Sequence, residues 1–441
     1  MKVTKKVCVS LLATLLVLPG GNREALAAGT PTAAKALTIV EGKKETIKVT
    51  GTNIKSKVFK STNAKVASVS KKGIVTAKKA GSCKIKITIK YFKSKKAKKV
   101  SKKVLETAII VKKAESGPKK SAEDVAALKK IIKEQKALGA GLSDDFEEKD
   151  RYRYEWSENG RLESIDWYEC GLQGNISFSA FTELRDVECG GNHLTKVDMN
   201  GCKKLSSLSC RENQLTEINI NDCTQLEYLE CTENQLTGLD LSNCQALEIL
   251  RCRENKLTEI DITGCKELEE LSCEKNQLSR LDLNSYKALG SLDCRDNQLT
   301  KLDISSCAGL SLLYCDGNKL TELNTNGCKA LEIIQCGRNQ IQKLDVSVCK
   351  ALESLYCYSN QLTEINIDGC KVLKTLDCGD NQLVLLNVKG CMAIKELSCA
   401  WNQISELDVS SCKLLEKLNC DEGVFLSGVP DSCIVNMNET K

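Results

Sequence analysis

Residues 205–225 read LSSLSCRENQLTEININDCTQ, and the cysteine of this unit returns every 21 residues along most of the chain. A fixed period of this length is typical of stacked structural repeats, each of which packs on its neighbours. Such an array presents a long surface rather than a closed pocket, which favours binding over catalysis. The cysteines of this strand series are Cys189, Cys210, Cys231, Cys252, Cys273, Cys294, Cys315, Cys336, Cys357, Cys378, Cys399 and Cys420.

The apolar residues within the unit predict short strands. They follow the spacing L-x-x-L-x-C-x-x-N-x-L, in which the L-x-C step alternates with period 2. One strand per coil predicts a parallel sheet, and the similar spacing in the second half of the unit predicts a second sheet on the opposite side. We expect each asparagine of the unit to satisfy main-chain groups in its own coil and in the next one. This asparagine column is Asn192, Asn213, Asn234, Asn255, Asn276, Asn297, Asn318, Asn339, Asn360, Asn381 and Asn402.

This spacing resembles the leucine-rich repeat family, in its bacterial 21-residue class with nested half-repeats (the IRREKO type). The resemblance covers residues 162–433 and implies a mainly β fold, a solenoid of about 13 coils with parallel sheets. The irregular first coil has Cys170 in the asparagine position, and Gly423 stands there in the last coil. In this family the exposed strand residues form the surface most often used for recognition.

The 26 cysteines fit free, buried thiols better than the alternatives, because cysteine is small, apolar and suited to a narrow core. Disulfides are less favoured, since Tyr286 occupies a second-series position and stacked strands are about 4.8 Å apart, whereas bonded Cβ atoms prefer about 3.8 Å. A metal site is weaker still, because no C-x-x-C occurs. Outside the strand series lie Cys8, Cys83, Cys170 and the second series, Cys202, Cys223, Cys244, Cys265, Cys307, Cys328, Cys349, Cys370, Cys391, Cys412 and Cys433.

Residues 1–27 are a predicted signal peptide, with Lys2, Lys5 and Lys6, an apolar stretch over 7–18, and an A-x-A site ending at Ala27. The apolar stretch is too short to span a bilayer, and no later segment reaches a spanning length. We therefore expect a secreted chain without a membrane span, loosely associated with the cell wall. Residues 434–441 are expected to form a C-terminal tail.

Residues 28–113 lack the 21-residue period and predict a small β-sandwich, because β-rich runs alternate with turn residues. The runs VFKSTNAKVASV (58–69), GIVTA (73–77) and GSCKIKI (81–87) are similar to the bacterial Ig-like group 2 domain. That resemblance implies a spacer or a cell-surface module and adds no catalytic residue.

The same region is strongly basic, with 26 lysines against four acidic residues in 28–120, whereas the chain after 120 is acidic. A basic domain on an exported protein attracts an anionic wall polymer or membrane surface, and the alternative is a solvated lysine-rich surface. No recognition motif for nucleic acid accompanies the charge, so no specific nucleic-acid partner is expected. The densest basic run comprises Lys93, Lys95, Lys96, Lys98, Lys99, Lys102 and Lys103.

Residues 114–161 predict a linker and an N-terminal cap for the solenoid. Ser121 is expected to start a helix, with Asp124 reaching back to it, and Gly139 follows the helix end. A hairpin at Asn159-Gly160 and one apolar helix face would cover the open end of the first coil. That face comprises Val125, Leu128, Ile131, Ile132 and Leu138.

A ligand-binding face is predicted on the exposed strand positions that flank the buried leucine and cysteine. Aromatic residues make up only 4% of the chain, yet several occupy these columns beside arginines, and Tyr, Trp and Arg are the usual interface anchors. The alternative is the ordinary exposure of single apolar residues. The columns contain Tyr228, Ile249, Arg251, Arg253, Leu312, Tyr314, Ile333, Tyr356, Tyr358 and Trp401, with the centre at Tyr314, Tyr356, Tyr358 and Trp401.

On the opposite side, one column holds an aspartate in four consecutive coils: Asp240, Asp261, Asp282 and Asp303. Carboxylates so stacked repel one another, and a hydrated polar strand is the favoured explanation. A bound cation, or the basic domain folding back, would also relieve the repulsion.

Enzyme chemistry and cofactors are not expected, because His193 is the one histidine and no catalytic constellation surrounds it in the sequence. The first functional hypothesis is a secreted or cell-surface-associated binding protein that recognises a protein or glycan in adhesion or host interaction. The second is a structural, wall-associated scaffold tethered by its basic Ig-like domain.

Overall fold

The computed structural model describes residues 31–51, 53–92, 99–113, 119–147 and 149–439. The chain divides into two compact units, Met1–Gly117 and Pro118–Lys441. The predicted signal peptide lies outside the described residues, as do Lys93, Lys95, Lys96 and Lys98 of the basic run.

The first unit consists of nine strands. In chain order they are β1 (Thr32–Ala33), β2 (Ala36–Val40), β3 (Lys44–Thr46), β4 (Val49–Thr50), β5 (Ile54–Ser61), β6 (Ala67–Val69), β7 (Ile74–Ala77), β8 (Gly81–Phe92) and β9 (Val100–Lys112).

These strands form a sandwich with one shared core. One sheet has the order β2-β9-β8-β5, a second has the order β3-β7-β6, and β1 pairs with β4. Ile85, Ile87 and Ile89 of β8 are fully buried, and Val75 of β7 packs in the same cluster. Successive residues of a strand point to opposite faces, so the intervening lysines of β8 point outward. The Ig-like sandwich predicted from the sequence is confirmed.

The second unit starts with helix α1 (Ala122–Ala137) and a 3₁₀ turn (Arg151–Arg153). Its strands are β10 (Tyr154–Trp156), β11 (Leu162–Asp166), β12 (Gln173–Ser177), β13 (Asp186–Glu188), β14 (His193–Asp198), β15 (Ser207–Ser209), β16 (Glu217–Asn219), β17 (Tyr228–Glu230), β18 (Ile249–Arg251), β19 (Glu270–Ser272), β20 (Ser291–Asp293), β21 (Leu312–Tyr314), β22 (Ile333–Gln335), β23 (Lys343–Asp345), β24 (Ser354–Tyr356), β25 (Glu364–Asn366), β26 (Thr375–Asp377), β27 (Glu396–Ser398), β28 (Glu406–Asp408), β29 (Lys417–Asp421), β30 (Phe425–Ser427) and β31 (Ile434–Asn438).

The main sheet of this unit has 15 strands, in the order β10-β11-β13-β15-β17-β18-β19-β20-β21-β22-β24-β26-β27-β29-β31. β10 and β11 form an antiparallel hairpin, and the following strands pair in parallel, one per coil, as in the pairing of Leu250 with Leu271. Leu250 is buried between the half-exposed residues Ile249 and Arg251. The predicted solenoid is therefore confirmed. The segment expected to be a tail instead supplies β31, which pairs with β29.

The asparagine column ties each coil to the one before it. The Asn276 amide nitrogen donates to the Cys273 carbonyl of its own coil at 3.1 Å and to the Cys252 carbonyl of the preceding coil at 3.0 Å. Its side-chain oxygen accepts from the main-chain nitrogen of Leu257, also in the preceding coil. The predicted role of the asparagines, bonding main-chain groups of two coils, is confirmed. The second coil was predicted wrongly: it is the preceding coil and not the next one.

The second sheet exists only in pieces among the described residues: β12-β14-β16, β23-β25, β28-β30 and a single bridge between Asp303 and Asn324. The sequence predicted a sheet of this kind in every coil. Where this sheet does form, opposite charges face each other across the paired strands: Lys196 faces Glu217, and Lys343 faces Glu364. Asp240, Asp261 and Asp282 of the aspartate column lie in the unpaired region, where like charges of neighbouring coils destabilise pairing, whereas Asp303 bridges to the uncharged Asn324.

The described cysteines are free thiols, and the strand series is buried. The second series makes contacts that the sequence did not predict, because several thiols donate to a main-chain carbonyl of the preceding coil. Cys202 Sγ lies 3.4 Å from the Phe178 oxygen, and Cys328 Sγ lies 3.0 Å from the Ile304 oxygen. Tyr286, which occupies a position of this series, donates its hydroxyl to the equivalent carbonyl of Ile262.

The N-terminal cap contains α1 and the β10–β11 hairpin. The Ser121 hydroxyl caps the helix by accepting from the Asp124 main chain, as predicted. The Asp124 carboxylate does not reach back to Ser121; it accepts from Arg161 Nε and from the Leu162 main chain, each at 2.8 Å. Leu128 and Ile132 are buried in the solenoid core, whereas Leu138 is 50% exposed because it lies at the helix end.

Candidate recognition face

The exposed side of the main sheet, here called the recognition face, is fixed by the strand pattern. From β13 to β29, the central leucine, valine or isoleucine of each main-sheet strand and the cysteine two residues later point inward, so the residues that flank them point outward. The parallel register stacks equivalent residues of successive coils in columns. Every predicted ligand-binding residue lies on this sheet or in the turn that follows its strands.

The first half of the face, the charged half, extends from Tyr228 to Arg295 and is held by ion pairs. Arg251 makes a bidentate contact with Glu270, at 2.8 and 3.2 Å, and these hydrogen bonds raise the pKa of the guanidinium. Arg253 lies 2.7 Å from Glu233 and 3.3 Å from Glu274.

Arg295 and Tyr228 make further contacts in the charged half. Arg295 lies 2.5 Å from Glu274 and 2.6 Å from Asp293. Tyr228 donates its hydroxyl to Glu230 at 2.8 Å, and burial, followed by this hydrogen bond, raises the pKa of Tyr228. The arginines of this half therefore already have carboxylate partners within the chain.

The second half, the aromatic half, extends from Leu312 to Trp401 and has a different composition. Tyr314 and Tyr356 occupy one column two coils apart and are half-buried, and Tyr314 lies under the Arg295 guanidinium, 5.3 Å from the ring centre. Trp401 is 43% exposed and has a positive φ of 57° in the turn before Asn402. This half therefore presents aromatic rings on the sheet, with ion pairs such as that of Glu396 with Lys417 at its end.

The Tyr358 ring lies over Gly337, close to the buried carboxylate of Asp316. A Cβ atom at Gly337 would lie 2.7 Å from Tyr358 Cζ and 3.0 Å from Asp316 Oδ1, so the glycine lets the ring lie against the sheet. Asp316 is only 2% exposed; its Oδ1 accepts from the Gly337 main chain at 3.1 Å, and its Oδ2 has no hydrogen-bond partner among the residues that the structure describes. Burial raises the pKa of Asp316, and burial followed by the charge of Asp316 raises the pKa of Tyr358.

Asp316 and Gly337 were missed in the sequence. The signal that marks them is the column that follows the strand cysteine, where long polar residues such as Arg253, Glu274 and Arg295 give way to aspartate and then to glycine. A small residue beside a large ring in the next coil indicates that the ring lies across it.

The aspartate column on the other side borders a shallow hollow of about 750 Å³, into which Arg280 and Lys301 also reach. Asp261 Oδ1 accepts from the Thr263 main chain at 2.9 Å, and this bond lowers the pKa of Asp261. Asp240 makes the same contact with Ser242. These carboxylates are thus hydrogen-bonded within their own turns, but no strand forms at Asp240, Asp261 or Asp282, so the prediction of a polar strand at these positions was wrong.

The described part of the basic run is split between two sides of a strand. On β9, Lys102 lies opposite Lys90 on the outer side of the sheet, whereas Lys103 lies opposite the buried Ile89. Lys99 is exposed just before β9 begins. Among the residues that the structure describes, no helix is long and apolar enough to cross a membrane.

Residues 31–100 match the model of the bacterial Ig-like domain (group 2). The functional domain of InlJ from Listeria monocytogenes, described as including a cysteine ladder, is 27% identical, with 58% of this chain and 67% of that chain covered and a TM-score of 0.49. An internalin, InlF, from Listeria monocytogenes is 22% identical over 63% of this chain and 72% of that chain, with a TM-score of 0.43. YopM, a leucine-rich effector protein from Yersinia pestis, is 20% identical over 71% of this chain and 99% of that chain, with a TM-score of 0.48.

No curated protein matches the chain. The 21-residue period, the parallel main sheet with one strand per coil, and the asparagine column are properties of the chain itself. The chain therefore carries a bacterial Ig-like domain of group 2 in its first unit and a leucine-rich repeat solenoid with 21-residue coils in its second.

Proposed function

We propose that this protein is an exported bacterial binding protein that recognises a protein or a glycan through the aromatic half of the recognition face, in adhesion or host interaction. The observation that carries the proposal is the change along one sheet from arginines paired with carboxylates to the half-exposed rings of Tyr314, Tyr356 and Tyr358. Tyrosine and tryptophan are the residues that most often anchor interfaces, because they bury a large area and lose little conformational entropy.

Two further features support the proposal. Group 2 bacterial Ig-like domains are typical of extracellular bacterial proteins, and the first residues predict export. Leucine-rich repeat solenoids are binding scaffolds. We propose no catalytic role, and the one histidine, His193, lies exposed at the start of β14.

The experiment compares the chain from residue 28 onward with a Tyr356→Ala/Tyr358→Ala variant on a glycan array and in capture of surface proteins from candidate host and neighbouring cells. The variant is expected to lose the captured ligand while keeping the far-ultraviolet circular dichroism of the parent. The matched control is Tyr152→Ala, because Tyr152 is 69% exposed and lies just before β10, the first strand of the main sheet, whereas the aromatic half begins at β21. Unchanged capture by the double variant would reject the face.

The alternative proposal is a wall-associated scaffold tethered by its basic Ig-like domain. The lysines on the outer side of that domain favour it. A tethered scaffold should fractionate with the cell wall and be released by salt, since contacts between exposed charges are screened. A soluble adhesin should keep its ligand after residues 28–120 are removed.

A further inference from the structure

One sheet face of the Ig-like domain carries positive charge in rows. On β8 the buried isoleucines alternate with Lys84, Lys86 and Lys90, which are exposed on the outer side. Neighbouring β5 and β9 place Lys60 and Lys102 on the same side, as their register with β8 shows. We call this side of the four-stranded sheet the lysine face.

The register places like charges directly opposite each other. Lys60 pairs with Lys86 across β5 and β8, and Lys90 pairs with Lys102 across β8 and β9. Directly opposite side chains in antiparallel strands have Cβ atoms about 4.5–5.5 Å apart, and like charges there destabilise the sheet. Glu106 lies 3.0 Å from Lys84 and 3.6 Å from Lys86. Among the described residues, neither Lys90 nor Lys102 has a carboxylate partner.

Lys90 and Lys102, the pair without a carboxylate partner among the described residues, lie beside a hollow. Lys55, Lys90 and Lys102, together with Ser56 and Val100, line a depression of about 470 Å³ at the end of the sheet. Lysine binds phosphate as a compact point charge, and a serine hydroxyl donates to phosphate oxygens. The depression therefore has the donors and the charge for a phosphate group.

An aliphatic strip separates the lysine rows. Thr88 of β8 lies between Val58 of β5 and Val104 of β9 across the sheet. Val58 is 60% exposed and Val104 is 52% exposed. Along one strand, outward residues repeat at about 6.8 Å, and neighbouring strands are about 4.8 Å apart, so the charges form a lattice with apolar surface between them.

We infer that the lysine face binds a flexible phosphodiester-linked polymer with a polyol or sugar backbone. Its phosphates contact the lysine pairs, and its uncharged backbone crosses the valine strip. Single-stranded DNA is the comparison polyanion in the test, because it has the same phosphate charge on a backbone whose bases stack on aromatic side chains. This inference rests on the proposed polyanion contact of the basic domain, and it extends that contact from the predicted run, Lys93 to Lys103, across the sheet to which Lys102 belongs.

The test uses the chain from residue 28 onward on immobilised poly(glycerol phosphate). The variant Lys60→Glu/Lys102→Glu converts both like-charge pairs into opposite-charge pairs. It is expected to bind at least about tenfold more weakly, since two phosphate contacts are lost and two repulsions are added, and to unfold at an equal or higher temperature. The control Lys71→Glu/Lys72→Glu makes the same charge change in the exposed turn between β6 and β7, and binding should fall by less than about threefold.

Equal losses for the two variants would overturn the inference, because net charge alone would then explain binding. Undiminished binding by Lys60→Glu/Lys102→Glu would also overturn it, while leaving a polyanion contact through residues 93–98 in place. No binding by the parent chain would reject the polyanion contact as a whole, and single-stranded DNA that binds as tightly as the polymer would reject the stated backbone chemistry.

Discussion

The side-chain nitrogen of Asn276 lies 3.0 Å from the carbonyl oxygen of Cys252, which belongs to the preceding coil. The same side chain accepts a hydrogen bond from Leu257 of that coil, so one amide joins two turns of the chain at two points. Asn297 repeats both contacts with Cys273 and Leu278. The column is therefore a chain of couplings between neighbouring coils.

Asn276→Ala should lower the free energy of unfolding by about 1–3 kcal/mol, because it leaves the buried N–H of Leu257 without its acceptor and removes one of the two amide donors from the carbonyls of Cys252 and Cys273. Urea denaturation followed by circular dichroism measures the change. Asn284→Ala is the matched control, since Asn284 is exposed in a turn, and its effect should be small. Equal effects of the two substitutions would show that the column does not couple the coils.

Tyr286→Phe should also destabilise the solenoid. The Tyr286 hydroxyl donates to the Ile262 carbonyl, and the side chain is 1% exposed, so phenylalanine keeps the packing and removes one buried hydrogen bond. The expected loss is about 1–3 kcal/mol of unfolding free energy, and thermal or urea denaturation measures it. A phenylalanine variant as stable as the parent would mean that the second-series position needs bulk and no donor.

The parts of the fold that follow from local period could be predicted from the sequence. The inward position of Leu250 and Cys252 follows from an alternation that repeats in every coil, and the sandwich follows from the alternation of isoleucine and lysine in β8. Side-chain contacts between coils were harder to predict from the sequence. Whether the second sheet forms in a given coil depends on which polar residues face each other, and Lys196 with Glu217 is a favourable case. The 21-residue period does not specify these residues.

The candidate site shows the same division. The columns that contain Tyr314, Tyr356 and Trp401 could be found by counting from the strand cysteines. The arrangement of Asp316, Gly337 and Tyr358 spans three coils, and it depends on a ring lying across a glycine that breaks the column. The ion pairs of Arg251 and Arg253 likewise depend on rotamers that sequence spacing does not define.

Alkaline pH should destabilise the solenoid. Burial raises the pKa of Cys252 and of Cys202 to about 12, and of Cys265 to about 11, whereas an unfolded thiol titrates near 8.5. Because the folded values are raised, this contribution to stability is complete below about pH 8.5 and is lost as pH rises toward the folded values. Each such thiol then costs about 1.4 kcal/mol per pH unit.

The measurement is the urea midpoint at pH 7.5, 8.5 and 9.5 with a non-thiol reductant, a range that lies below the ordinary pKa of tyrosine and lysine, about 10 and 10.4. The midpoint should already be lower at pH 8.5, where each unfolded thiol is half ionised, and should fall steeply by pH 9.5. Cys252→Ala should make the decline shallower at the cost of a small cavity. A midpoint independent of pH over this range would show that the thiols are not buried as free groups.

The cap should depend on Asp124. Its carboxylate is 1% exposed and accepts from Arg161 and from the Leu162 main chain, which joins the helix to the first strand of the parallel array. Asp124→Ala leaves the Leu162 N–H unpaired and uncovers the end of the core, so the free energy of unfolding should fall by about 1–3 kcal/mol. Glu123→Ala is the control, because Glu123 is the adjacent exposed acid of the same helix turn. The cap variant should also bind a hydrophobic dye at temperatures below its main transition, since the exposed end of a solenoid frays first; a dye profile identical to that of the control would mean that α1 does not protect the first coil.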